Sequence, residues 1–416
     1  MGKHAMLSPS SADRWMQCPG SVAMASLVPY VDDTNEYSAE GTAAHFLASE
    51  AMTQAVAPDT LIGNTISVTK DGAAWGEHPD ALYAFEVDED MARYVTRYIN
   101  DVKAHTNGAD ILVEQAIPIG HLTGEPDAVG TADAIVLNGV ELQVHDLKYG
   151  MKYVSAQDNR QLKLYALGAL DEYSCVADIE TVRLFIHQPR VTDKPGEFSL
   201  TVAELNEFRH EVEEAALYAM TVLNDVPREQ WAEHLVPGDV QCRHCPAKPE
   251  CPALQRAVEN AVQADFENLD EVEQAVHDVA LLTPEQLAQK MAATDLVEQW
   301  IKAVRARVEA NLLSRETVPG YKLVTGRQGP RKWVDASSAE AELKRMRLKR
   351  EEMYTFKVKS PAQIEKQMAE KYPRRWEKLQ QLVTQSPGKP HVTTEDDPRP
   401  VLELASADDF TDLNKE

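Results

Sequence analysis

Two acids and a lysine in the middle of the chain have the types and spacing for hydrolytic chemistry. Asp133 stands in G-T-A-D-A-I-V, and Asp146 and Lys148 stand in E-L-Q-V-H-D-L-K-Y-G. Residues i and i+2 of a strand share a face, so Asp146 and Lys148 present an acid beside a cation on one side of a sheet. Asn138-Gly139, between the two runs, is a hairpin turn signal. Facing side chains of a hairpin approach to about 5 Å, close enough for two carboxylates to share a divalent ion. A hard cation beside a phosphate eases attack by water, and a nearby lysine offsets developing negative charge, so the three residues predict a hydrolytic core.

The elements that must hold these residues are legible from periodicity. Residues 111–119, 128–137 and 140–147 read as strands, 155–173 as a helix carrying Q-L-K-L-Y, and 181–187 as a further strand. Upstream, a serine-rich start leads to a short helix through Trp15 that closes at Cys18-Pro19-Gly20. Helices are expected over 38–54, which carries His45 in G-T-A-A-H, and over 87–105, with 59–88 acidic and less regular. Long helices over 200–223 and 283–315 follow, then a short strand and turn over 320–335, basic helices to about residue 383, and a proline-rich acidic tail. Strands broken by helices predict an α/β fold.

Composition narrows the partners. Lys and Arg number 42 against 67 Asp and Glu, a formal net charge of -25, which works against sequence-independent affinity for a polyanion. Nucleic-acid binding would need local basic patches, of which Lys344, Arg345, Arg347, Lys349 and Arg350 form one and Lys357, Lys359, Arg374 and Arg375 another; solvated helix faces are the ordinary alternative. No apolar run is long enough to span a bilayer and the first residues lack a secretory pattern, so a soluble cytoplasmic protein with no membrane contact is expected. Five cysteines in such a chain do not read as a disulfide framework. Cys242, Cys245 and Cys251 in Q-C-R-H-C-P-A-K-P-E-C, joined by a further cysteine or by His244, suit a tetrahedral zinc. Cys175 reads as an ordinary buried cysteine.

G-T-A-D, D-L-K and Q-L-K-L-Y, in that order, resemble the core of the PD-(D/E)xK nuclease superfamily in its RecB-like branch. The resemblance covers residues 7 to 255. It implies a central mixed sheet flanked by helices, with Mg2+ or Mn2+ bound by His45, Asp133, Asp146 and the carbonyl of Leu147. It further implies that Lys148 positions and polarises the attacking water and that Gln161 and Tyr165 line the site. Pro126-Asp127 matches the superfamily name literally but precedes the strand, and Asp133 is preferred to Asp127. Glu114 is either an outer member of the site or simply exposed, and His145 should face away from Asp146.

Cys18, with Cys242, Cys245 and Cys251, resembles the split set by which RecB-like nucleases of the AddB and CRISPR-adaptation types hold a 4Fe-4S cluster, and that cofactor is favoured over zinc. The remainder, through Y-K-L-V, R-K-W and S-P-A-Q-I-E-K, resembles the C-terminal part of a phage- and prophage-encoded nuclease family catalogued largely without assigned function. The expected organisation is a nuclease domain over 1–255, a helical segment over 256–318, a basic region over 319–390 and an acidic tail over 391–416. The expected function is metal-dependent DNA cleavage by an exonuclease that resects ends in phage recombination or replication, in the cytoplasm of a bacterial host. DNA and a phage annealing protein or recombinase are the expected partners, and an oligomer is compatible with the chain. The alternatives are an endonuclease or flap nuclease on the same core, and a module that binds DNA or a recombinase without cutting.

Overall fold

The computed structural model of the chain describes residues 5–28, 34–262 and 283–324, with shorter stretches between 340 and 383. The chain divides into two compact units, Met1–Val324 and Thr325–Glu416. The first is α/β, with a mixed five-stranded sheet, a small antiparallel sheet and helices.

A 3-10 turn, Pro9–Ser11, opens the described chain and leads to α1 (Ala12–Trp15) and α2 (Gly20–Ala25). The helix expected to run through Trp15 and close at Cys18-Pro19-Gly20 ends at Trp15, and a second one starts at Gly20. Next comes α3 (Glu36–Thr53), started by a capping box in which Asn35 Oδ1 accepts from the Ser38 amide and Ser38 Oγ accepts from the Asn35 amide. The segment expected to be less regular instead forms β1 (Thr65–Thr69), β2 (Gly72–Trp75) and β3 (Tyr83–Glu86), ordered β2-β1-β3 and antiparallel. Its strands are four or five residues long, too short for alternation to stand out, and Lys70-Asp71 turns ahead of Gly72 at φ +137°. Asp88 caps α4 (Glu89–His105) by accepting from the Met91 amide at 2.7 Å.

The main sheet runs β4 (Ile111–Pro118), β5 (Val129–Asn138), β6 (Glu141–Leu147), β7 (Thr181–His187), β8 (Gly196–Thr201) in spatial order, with α5 (Gly120–Thr123) between the first two strands. All neighbours are antiparallel except β6 and β7, which α6 (Arg160–Tyr173) joins as a crossover. The β5–β6 turn is Gly139–Val140, one place beyond Asn138-Gly139, because Asn138 still pairs with Glu141 and Gly139 supplies φ +64°. The helix expected from Ser155 starts at Arg160, since Asp158 takes φ +50° and Asn159 caps the Leu162 amide. Edge strand β8 escapes periodicity because Leu200 is its one buried residue.

A Thr201–Glu204 capping box starts α7 (Val202–Asn224), and α8 (Asp239–Cys242), α9 (Pro252–Val262) and α10 (Pro284–Leu313) follow. In the second unit, α11 (Pro373–Gln380) buries Trp376. Residues 320–324 hold no strand; the rest of the expected strand and turn, much of the basic region and the tail from 386 lie outside the described residues. Among the described residues no helix is long and apolar enough to cross a membrane.

Alternation along β6 sends Leu142 and Val144 into one core with α6 and α7, while Leu147 joins a second core with α3 and α4. The sheet is thus covered on both faces, and its strand ends lie where α3 and α6 can both reach them. Gly168 is required for that fit: a Cβ there would run into the Ile117 side chain and stand 2.8 Å from the Pro118 carbonyl oxygen. Gly168→Ala is expected to lower stability by about 1–3 kcal/mol in urea unfolding, despite alanine's better helix propensity, because α6 would be pushed off β4.

Candidate functional site

The β5–β6 pairing ends at Ala134 opposite His145, and the side chains just beyond take over its polar groups. Asp133 Oδ2 accepts the Leu147 amide at 2.7 Å, and Asp133 Oδ1 lies 3.1 Å from His45 Nδ1, which arrives from α3. Lys148, whose amide is fixed by the His187 carbonyl, places Nζ 3.1 Å from Asp146 Oδ1 and 3.2 Å from Gln161 Oε1. Gln161 Nε2 in turn donates to the Tyr165 hydroxyl one turn along α6. His45, Asp133, Asp146, Lys148, Gln161 and Tyr165 therefore meet in one connected set, and Leu147 sits inside it through its own N–H. Asp127 is exposed in the turn before β5, apart from these bonds.

The charges in this set are strongly coupled. Burial opposes charging of His45, but Asp133 outweighs it and lifts the imidazole pKa to about 9. Burial pushes Asp133 up and His45 pulls it further down, leaving it below the ordinary carboxylate value. For Lys148, burial again works against the charge and Asp146 prevails, so the ammonium is held. Asp146 is raised, because burial, helped by Asp133, exceeds the pull of Lys148. Lys148 Nζ is also 2.9 Å from Asp146 Oδ2, yet the bond is directed at Oδ1 and leaves the buried Oδ2 with no hydrogen bond. A buried carboxylate oxygen whose ammonium neighbour lies outside hydrogen-bond geometry keeps lone-pair capacity for a metal cation.

The four predicted cysteines also converge. Cys18 lies between α1 and α2, Cys242 ends α8, Cys245 follows it in the loop, and Cys251 precedes α9; all four line one small pocket with Met24, Leu235 and Leu254. The Val236 amide donates to Cys18 Sγ at 3.3 Å, the Gly238 amide to Cys242 Sγ at 3.4 Å, and the Ala253 and Leu254 amides to Cys251. Burial, with the other three sulfurs adding, pushes the metal-free Cys18 thiol up to about 11. His244, the alternative zinc ligand, is exposed.

A family model described as "Protein of unknown function (DUF2800)" matches residues 4–400. The chain belongs to the DUF2800 family. Among solved structures, the crystal structure of SSO0001 is similar at 17% identity over 40% of this chain and 71% of that one, with a TM-score of 0.23, too low for the likeness to bear on the fold.

The DUF2800 chain places one acid in the site that spacing alone left open. Glu114, His45 and Asp133 each offer a ligand atom within 4.8 Å of the others, and Asp146 stands beside this trio, tied to Lys148. Glu114 falls between the Val113–Ala134 and Gln115–Ala132 pairs, opposite Asp133, and takes φ +50°. A left-handed glutamate inside a strand is strained by about 1–3 kcal/mol, and it turns the carboxylate toward the site. A lone Glu in I-L-V-E-Q-A-I was the sequence signal. Replacing Glu114 by Gln is expected to weaken Mn2+ binding about tenfold in calorimetry, and undiminished affinity would remove it from the ligand set. His145 does face away: it is buried and bonded to His187 and Gln143. Cys175 is exposed, contrary to expectation, because the chain has left α6 for the surface there.

Proposed function

We propose that this protein is a metal-dependent DNA nuclease of the PD-(D/E)xK, RecB-like kind, and an exonuclease resecting ends. The observation that carries the reading is the His45–Glu114–Asp133 trio within 4.8 Å, beside a buried Asp146 oxygen without a hydrogen bond and a charged Lys148. These donors suit Mg2+ or Mn2+: carboxylate oxygens with one imidazole. The ion would supply Lewis-acid stabilisation of the scissile phosphate and a more acidic water. Lys148, kept protonated by Asp146, cannot serve as a general base; it orients the nucleophile and offsets negative charge on the phosphate. Gln161 fixes the ammonium from the side, and Tyr165 fixes Gln161.

The four-cysteine pocket supports a second resident group, a 4Fe-4S cluster or a structural zinc. Four thiols from segments far apart in sequence, three of them receiving backbone N–H bonds, are the donor set such a group needs. Cys18, Cys242, Cys245 and Cys251 would hold it, joining the N-terminal helices to the segment before α9. Iron, sulfide and zinc analysis of anaerobically purified protein distinguishes the two.

The function is tested with full-length protein and Mg2+ or Mn2+ on linear and covalently closed circular DNA. Degradation of the linear form alone is expected; cutting of the circle would make it an endonuclease, and no cutting of either would refute the reading.

Metal binding should depend on pH through His45. Its folded pKa, about 9, is raised above the ordinary 6.5, so its ion pair with Asp133 stabilises the metal-free protein fully below about 6.5 and is lost as pH rises through about 9. A ligating imidazole must be neutral, so Mn2+ affinity should climb between about pH 7 and 9 and then level. Calorimetry in buffers of different ionisation enthalpy should show close to one proton released; a flat profile would exclude His45 as a ligand.

A further inference from the structure

A cavity of about 400 Å³ opens beside the candidate site, lined by Arg93, Tyr94 and Arg97 of α4 and by Arg190 and its neighbours in the loop after β7. In a chain of net charge -25, three arginines on one cavity stand out. Two of its lining residues pack on Tyr149, the residue after Lys148: Tyr149 meets Tyr94 edge-on at 6.3 Å and lies under the Arg190 guanidinium at 4.7 Å. The loop after Tyr149 is clipped to the cavity rim, since Gln188 accepts from the Val154 amide at 2.8 Å and donates to the Lys152 carbonyl at 2.7 Å. That loop holds up Tyr153, 63% exposed, and Tyr37, 84% exposed, stands one turn before Glu40, the partner of Arg190.

We infer that this cavity is a nucleotide subsite, taking one nucleotide of a single-stranded DNA end next to the scissile phosphate. The inference rests on the nuclease reading and specifies its substrate. At about 400 Å³ the cavity lies at the lower end of small-molecule pockets, enough for one nucleotide and far too small for a duplex. Arg97 is committed to the wall, bonding the Pro189 and Thr192 carbonyls and Asp193. Arg93 and Arg190 each have one carboxylate partner, Asp90 and Glu40, and five N–H donors, so both keep donors for a phosphate. The Arg93–Asp90 pair is solvent-exposed and so holds Arg93 weakly, whereas a phosphate can take a guanidinium bidentately. Exposed tyrosines near an arginine cleft are the combination on which unpaired bases stack, and base pairing would deny them those faces.

The test uses full-length protein in EDTA, where binding is read without cutting, and a fluorescein-labelled oligothymidylate followed by anisotropy. Arg93→Ala is expected to weaken binding about tenfold and to lower the salt slope by about 0.7, with Arg93→Lys recovering most of the slope. Val191→Glu, which adds a negative charge to the cavity wall without touching an arginine, should weaken binding similarly. Affinity for blunt duplex should not change in either variant. Retained oligothymidylate affinity in both variants, or equal losses for duplex, overturns the subsite. If DNA is cut and the variants bind normally, the subsite fails and the nuclease stands; Arg93-dependent binding without any cutting is the reverse.

Discussion

Lys148→Ala is expected to cut metal-dependent DNA degradation by about a hundred- to a thousandfold, the usual cost of losing one positioned charge donor. The structure gives reasons to expect a loss of rate and not of fold. Lys148 touches Asp146 and Gln161 at the rim of the site, with its side chain 29% exposed, and its backbone is fixed independently by the His187 carbonyl. Asp146, already raised by burial, can take up a proton when the ammonium is gone, which limits the damage of an unpaired buried charge. Circular dichroism and the unfolding midpoint should therefore stay near those of the parent. Oligonucleotide binding in EDTA should also persist, because the arginine cavity is separate from Nζ. Undiminished degradation by Lys148→Ala would remove this centre from the chemistry.

The second large effect belongs to the cysteines. Cys251→Ser is expected to lose the bound metal and to lower the unfolding midpoint by about 10 °C or more, since a four-thiolate site contributes folding free energy outright and each kcal/mol is worth about 2–4 °C in a unit of this kind. Cleavage should fall with it, although no cysteine enters the catalytic set. The route is visible: α1 packs beside α8, Arg160 at the start of α6 bonds Asp13 of α1 at 2.8 Å, and Pro9 and the Tyr165 ring both close on Gly130, where a Cβ would meet each of them. Loosening the cysteine pocket frees the segment against which Tyr165 rests. Metal analysis, calorimetric unfolding and a cleavage assay on one preparation check all three, and unchanged stability and activity would refute the coupling.

Much of this was legible because the chemistry lies on regular elements. Asp133 and Asp146 sit on long strands where period-two alternation is unambiguous, Lys148 follows directly on the second of them, and His45, Gln161 and Tyr165 sit on capped helices. What escaped has physical reasons. Glu114 reaches the site through a left-handed backbone, and period-two reasoning assumes extended residues. The small sheet is made of strands too short to show alternation, and β8 is an edge with one buried side chain. The arginine cavity joins α4 to a loop nearly a hundred residues later, a meeting that only the packing of α4 on the sheet brings about. The buried Tyr98 hydroxyl and His187 Nδ1, both without hydrogen bonds behind the site, carried no pattern at all.

The convergence of Cys18 with Cys242, Cys245 and Cys251 also has a temporal side. Synthesis runs from the N-terminus at about 5–20 residues per second, so Cys18 waits about 12–47 s on the ribosome before Cys251 has been added. Until the last nine residues of that interval it has none of its three partner sulfurs. The β5–β6 hairpin and its acids are made well before the pocket can close, so closure is a late step in the birth of the molecule. On the proposed reading, a chain assembled in this order would remain slack at Tyr165 until its cysteines are joined, and a cell short of the metal proposed to join them would accumulate chains that carry the whole candidate site in an unfinished frame.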